Sequence, residues 1–295
     1  MGARDLGALI LLAALWGASY IFIRVAVPAL GPFVLMGARV TLASGALALY
    51  AVLLARGMPK FRSRWKEFLI VGATNSAIPF TLIAAAEIEL TASLAAILNS
   101  TTALFVAVVA AVWIGESLTA RKVVGLLLGF AGVVVLVGWD PVPLNGAVLL
   151  AVGAMLAASL SYAVGGVYVK RTFAGVSPLA MTIGQQGAAA VILLPLAAVS
   201  LPGEAPPLPA ALSALALALL CTAVAYLLYF RLIENVGPTK TLAVTFLIPV
   251  FGLLFGVVLL DEPVGLGTLV GFAIISLGVA LVTEVRMGKR LAYRD

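Results

Sequence analysis

Ten apolar runs of roughly 20 residues follow one another along this chain, each broken by charged residues, glycine or proline. About 20 apolar residues in a helix cross a bilayer, whereas barrel strands alternate polar and apolar residues over about ten. The runs fall at 6–26, 32–55, 66–87, 91–114, 119–138, 144–169, 178–200, 208–231, 238–260 and 265–285, and none alternates in that way. Composition agrees: 63% of residues are hydrophobic and only 10% charged, too apolar for one water-facing shell. The fold class is therefore all-α integral membrane, with ten transmembrane helices and short connections. The first run has the character of a signal peptide, but its length and the nine runs behind it argue for a span.

Positive residues set the direction. With a cytoplasmic N-terminus, the inside segments collect Arg4; Arg56, Lys60, Arg62, Arg64 and Lys66; Arg121 and Lys122; Lys170 and Arg171; Arg231; Lys240; and Arg286, Lys289, Arg290 and Arg294. The outside connections hold no Lys or Arg and carry Glu87, Glu89, Asp140, Glu204, Asp261 and Glu262. Both termini are expected in the cytoplasm. Two arginines remain inside spans, Arg24 and Arg39.

A shift of 146 residues places I-F-I-R24 on V-Y-V-K170, Pro32 on Pro178, G-E116 on D-E262, Gly125 on Gly271 and G132-V on G278-V. Each half then holds five helices. Five is odd, so the halves enter the membrane in opposite directions as two five-helix inverted-topology repeats, residues 1–140 and 141–295. Such an architecture puts a substrate site near the midplane between the halves and allows alternating access. The paired repeats, the W-G-A-S-Y-I-F-I-R first helix, the arginine in the second and the G-E-S-L-T turn resemble the drug/metabolite transporter superfamily, EamA branch, and within it the YddG-type amino-acid exporters of bacterial inner membranes. That resemblance implies a central pathway lined by the first four helices of each half, with the fifth and tenth at the periphery.

Several polar and aromatic residues could line such a pathway. Trp16, Ser19, Tyr20 and Arg24 share one helix face at i, i+3, i+4 and i+8, a set unsuited to lipid. Packing aromatics are the alternative reading. Arg39 lies about 10 Å inside its span and needs a partner: Glu87 or Glu89, helix carbonyls, a substrate carboxylate, or a purely structural hydrogen bond between helices. Asn75, Asn99, Tyr162, Gln185 and Tyr226 complete the substrate-binding candidates. Interhelical hydrogen bonds are the competing explanation for each, at under about 1 kcal/mol apiece. Gating candidates are Arg24, Glu87, Lys170 and Pro249, the last expected to kink its helix. Arg24 either closes the outer mouth with Glu87 or Glu89 or snorkels to headgroups. Glu116 and Glu262 are read as caps at the helix starts they precede. Gly125, Gly129, Gly132, Gly252, Gly256, Gly271 and Gly278 are packing glycines.

The chain has no histidine and one cysteine, Cys221, so a Cys/His metal cluster and an intrachain disulfide are both excluded. It has no P-loop, and no nucleophile–base constellation is present. The +6 charge reports topology rather than nucleic-acid binding. No cofactor, metal or enzymatic activity is expected, and the partners are a small-molecule substrate and the lipid bilayer, with a monomer sufficient. Small multidrug antiporters of the same superfamily carry a carboxylate in the first helix; here that helix has Arg24 instead, which argues against cationic drugs. The expected function is facilitative or secondary export of small neutral or zwitterionic metabolites, foremost amino acids including aromatic ones, across the bacterial inner membrane by alternating access. Purines, nucleosides or drugs are the alternative substrates, and a non-transport membrane scaffold is the rival class.

Overall fold

The computed structural model describes residues 2–54, 63–139, 145–241 and 243–283. The basic segment with Arg56, Lys60 and Arg62, Asp140, and the tail with Arg286, Lys289, Arg290 and Arg294 lie outside the described residues. The chain is a multi-span all-α protein. Among the described residues, seven helices are long and apolar enough to cross a membrane: α1 Ala3–Leu53, α2 Trp65–Ala86, α3 Ala92–Ile114, α4 Ala120–Gly138, α5 Gly146–Thr172, α6 Pro178–Val199 and α7 Leu208–Val236. Two shorter apolar helices follow, α8 Val244–Leu260 and α9 Leu266–Val282, with a turn at Pro238–Thr241 before them.

α1 has 51 residues, about 76 Å at 1.5 Å per residue, more than twice a bilayer core of about 30 Å. It is two arms meeting at Gly31, whose φ of 69° and ψ of 162° break the helical path. Only glycine adopts such a conformation readily. The starts of other helices follow their side chains: Thr91, Thr119, Asn145 and Ser177 each accept a hydrogen bond from a first-turn N–H.

Irregularities recur 146 residues apart. α2 opens into a π-helical segment at Ala73–Ala77, and α7 does so at Leu219–Val224. α3 ends on Gly115 in the left-handed region and α8 on Asp261 in the same region. α4 and α9 run antiparallel along each other, Gly125 meeting Gly278, Gly132 meeting Gly271 and Ile275, and Gly267 meeting Trp139. A Cβ on Gly278 would sit 2.6 Å from the Gly125 carbonyl oxygen, so the absence of side chains allows this approach. α1 packs along α6, α7 and α8, while α2 and α3 pack on α5. The main buried cluster, from Ile23 and Met36 through Leu98 and Met155, lies where these groups meet. The outer faces stay apolar and exposed, as at Val112, Leu150 and Val199, which is the surface lipid tails require.

A candidate central site between the two halves

Arg39 on the second arm of α1 sits at the centre. It is buried, its Nε donates to Thr222 Oγ1 at 3.0 Å, and its guanidinium carbon lies 3.9 Å from the centroid of the Phe80 ring. Tyr20, Tyr162, Tyr226 and Cys221 surround it. Among the described residues it has no carboxylate partner; the ion pairs there join Glu116 to Lys170 and Lys122.

The π-helical segments explain how Thr222 and its counterpart reach this position. The Thr222 hydroxyl donates to the Leu217 carbonyl five residues back, at 2.9 Å, so the widened turn holds its own side chain while presenting the oxygen to Arg39. On α2, Ser76 in the other π segment accepts from Gln185 Nε2 at 2.9 Å. Arg39 with Thr222 and Gln185 with Ser76 are the same contact, exchanged between positions 146 residues apart. The aromatic contacts repeat the pattern. Trp16 meets Tyr226 edge-on at 6.0 Å between centroids, and Tyr162 meets Phe80 edge-on at 6.3 Å.

Most of the expected binding residues therefore converge. Tyr20 is buried and lies against Asn99, whose Oδ1 is buried without a partner. Ser19 donates to the Leu15 carbonyl at 3.4 Å and lies beside Cys221. Gln186, next to Gln185, is fully buried and lies with it against Tyr226. Asn75 stands slightly apart. With Thr74 it packs onto Gly165 of α5, where a Cβ would collide with both side chains, and Ser161 Oγ donates to the Thr74 carbonyl at 2.8 Å. Thr101 and Ser159, joined at 3.2 Å, tie α3 to α5. Sequence reasoning missed Ser76 and Thr222. The 146-residue shift places one on the other, so the signal was two hydroxyls in register.

The two ends of the bundle differ. At the Glu87 end, Arg24 Nη1 donates to the Glu87 carbonyl and, at 3.1 Å, to the Ile88 carbonyl, satisfying the last turn of α2. Arg24 thus meets the backbone of Glu87 rather than its side chain, and Glu89 is exposed. The Glu262 carboxylate accepts from Ala92 N at 2.7 Å, Ser93 N at 2.9 Å and Ser93 Oγ at 2.6 Å. It caps α3, a helix distant in sequence, and not the helix it precedes; the N-cap position of α9 is Gly265. At the opposite end, Glu116 does not cap α4, whose start is held by Thr119; it binds Lys170 Nζ at 2.8 Å. That hydrogen bond holds the Glu116 carboxyl below its ordinary value of 4.5. Lys170 is therefore remote from the central site. Pro249 is buried within α8, which continues through it as one helix.

The family model of the EamA-like transporter family matches twice, over residues 6–138 and 149–284. The chain belongs to the EamA-like transporter family. This EamA-like chain is a membrane transporter of small molecules and not an enzyme. It is 31% identical over 296 residues to the "Uncharacterized inner membrane transporter YedA" of Escherichia coli K12, covering 97% of this chain and 91% of that protein. It is 27% identical over 291 residues to the "Probable terminal-alkyne amino-acid exporter" of Streptantibioticus cattleyicolor, covering 98% and 96%. A protein of known crystal structure, 21% identical, superimposes with a TM-score of 0.66 over 96% of this chain and 98% of its own, which shows the shared fold.

Proposed function

We propose that this transporter exports small zwitterionic metabolites, amino acids foremost, by alternating access between two inverted five-helix repeats that together make ten spans. The observation that carries the substrate reading is Arg39: a buried cation, stacked on Phe80 and bonded by one nitrogen to Thr222, with no carboxylate partner among the described residues. A substrate carboxylate supplies what the protein does not, and the amides and tyrosine hydroxyls around it suit an ammonium group and a side chain. The name of the Streptantibioticus relative points the same way.

The inverted repeat is supported by the antiparallel pairing of α4 with α9 and by the exchanged contacts at the centre. The centre is symmetric while the ends are not, which is the arrangement an alternating mechanism needs. The Glu87 end is held shut by Arg24 and Glu262, whereas their counterparts Lys170 and Glu116 bind one another at the other end. In the opposite state Lys170 would leave Glu116 for the carbonyls of Ile233 and Glu234, the counterparts of those Arg24 holds here. The Glu87 end faces the periplasm in this reading, both termini face the cytoplasm, and the protein resides in the inner membrane as the relative YedA is named to do.

Uptake of a panel of labelled amino acids into liposomes containing the purified protein tests the substrate. Flux of amino acids, reduced by Arg39→Gln with the fold intact, is the expected result. Vesicles that pass a nucleobase or drug but no amino acid would overturn the reading.

A further inference from the structure

Glu87 closes α2 with its side chain turned inward. It is 0% exposed, and neither carboxyl oxygen has a hydrogen-bond donor. The charged groups that face it are Arg24 and Arg39 from the two arms of α1 and Glu262 from the connection before α9, with Tyr20 of α1 as the remaining titratable neighbour. The charged three are engaged elsewhere. Arg24 holds the backbone carbonyls of Glu87 and Ile88, Arg39 donates to Thr222, and Glu262 caps Ala92 and Ser93. An ionised carboxylate without water or a donor is among the costliest groups a protein can bury, and in practice it takes up a proton instead. The arginines act on Glu87 only through space, and Glu262 opposes them.

We propose that Glu87 is a proton-binding site coupled to closure of this end of the transporter. The end shuts around the neutral carboxyl; when it opens, water reaches the group, the O–H bond breaks, and the proton passes to the solution on that side. What the closure does in transport rests on the alternating-access reading above; the protonation does not. The sign follows from the difference between the two states. The closed state binds the proton more tightly, so closure is fully favoured below the ordinary glutamate range. Above that range it weakens about tenfold per pH unit, one proton being taken up on closing, until the pH passes the closed state's higher value.

Two measurements test this on the full chain in lipid nanodiscs. Infrared spectra at about pH 7 should show the C=O band of a protonated carboxyl. Isotope-labelled glutamate should move the band and Glu87→Gln should remove it. Spin labels on Ile88→Cys and Val258→Cys, both exposed positions, should report an open-to-closed ratio that rises about tenfold per pH unit above the ordinary glutamate range. Glu87→Gln, a neutral isostere, should give a closed and pH-independent population. Only ionised carboxylate bands at about pH 7 would overturn the proposal, as when Arg24 turns from the carbonyls to the carboxylate. A band without pH-dependent opening would overturn the link to closure. Even where Glu87→Gln does not fold, a labelled wild type with no protonated glutamate band overturns the proposal. Neither measurement uses a substrate, so their failure and the failure of the amino-acid reading are separate results.

Discussion

Replacing Glu262 by glutamine separates a gate from a static cap. The carboxylate receives three hydrogen bonds, at 2.7 and 2.9 Å from backbone N–H groups and at 2.6 Å from the Ser93 hydroxyl. Glutamine keeps one acceptor oxygen and turns an NH2 group toward the remaining donors, so at least one charge-assisted bond is lost, worth about 1.5–3 kcal/mol. The charge at the α3 N-terminus goes with it, worth about 0.3–1 kcal/mol. Together these weaken the closed end by about 2–4 kcal/mol, or roughly 30- to 700-fold in the open-to-closed ratio at 1.4 kcal/mol per tenfold change. Spin labels at Ile88 and Val258 should then show a dominant open population. Thermal unfolding should change little if both states are equally folded. A lower unfolding midpoint with an unmoved distance distribution would refute the gate and leave Glu262 as an ordinary interhelical cap.

Gly278→Ala should lower the unfolding midpoint in detergent by an overpacking cost of about 1–3 kcal/mol, because its methyl group would meet the Gly125 carbonyl and Gly129 backbone. Gly165→Ala should both destabilise the fold and slow transport, since Asn75 and Thr74 occupy that space; thermal unfolding and liposome flux read the two effects. The Glu116 carboxyl is held low by Lys170, so the pair is intact above the ordinary glutamate range and lost as pH falls through the lower folded value. Acid on that side should therefore free Lys170, and Glu116→Gln should abolish the dependence in an accessibility assay at that end. Arg39→Gln should reduce amino-acid flux roughly 10- to 100-fold, the loss of one charged hydrogen bond of about 1.5–3 kcal/mol, measured as uptake rate with normal gel-filtration behaviour.

Much of the fold was legible from the sequence. The apolar runs anticipated the helices to within a few residues at most ends, although the runs 6–26 and 32–55 join as α1 with a break only at Gly31, and α7 runs on to Val236. Arg39 was recognisable because a charge deep in an apolar run has no solvent explanation. Its partner was not, because Thr222 stands far along the chain and reaches Arg39 only through a π-helical turn that no apolar periodicity reveals. The same holds for Glu262. A carboxylate before a helix start looks like that helix's cap, and only packing shows that it caps α3 instead.

The sequence by itself determined that the chain spans a membrane as helices and which polar groups stand inside apolar runs. Each is a local property: a segment meets lipid or water according to its own residues, and a bilayer leaves its backbone few ways to satisfy its hydrogen bonds. Tertiary structure alone decided which groups face one another, that Arg39 meets Thr222, that Arg24 meets backbone carbonyls, and that Glu87 is sealed without a donor. Those outcomes depend on how separate helices pack, where small residues such as Gly125 and Gly278 set the approach and one turn of a helix changes every partner.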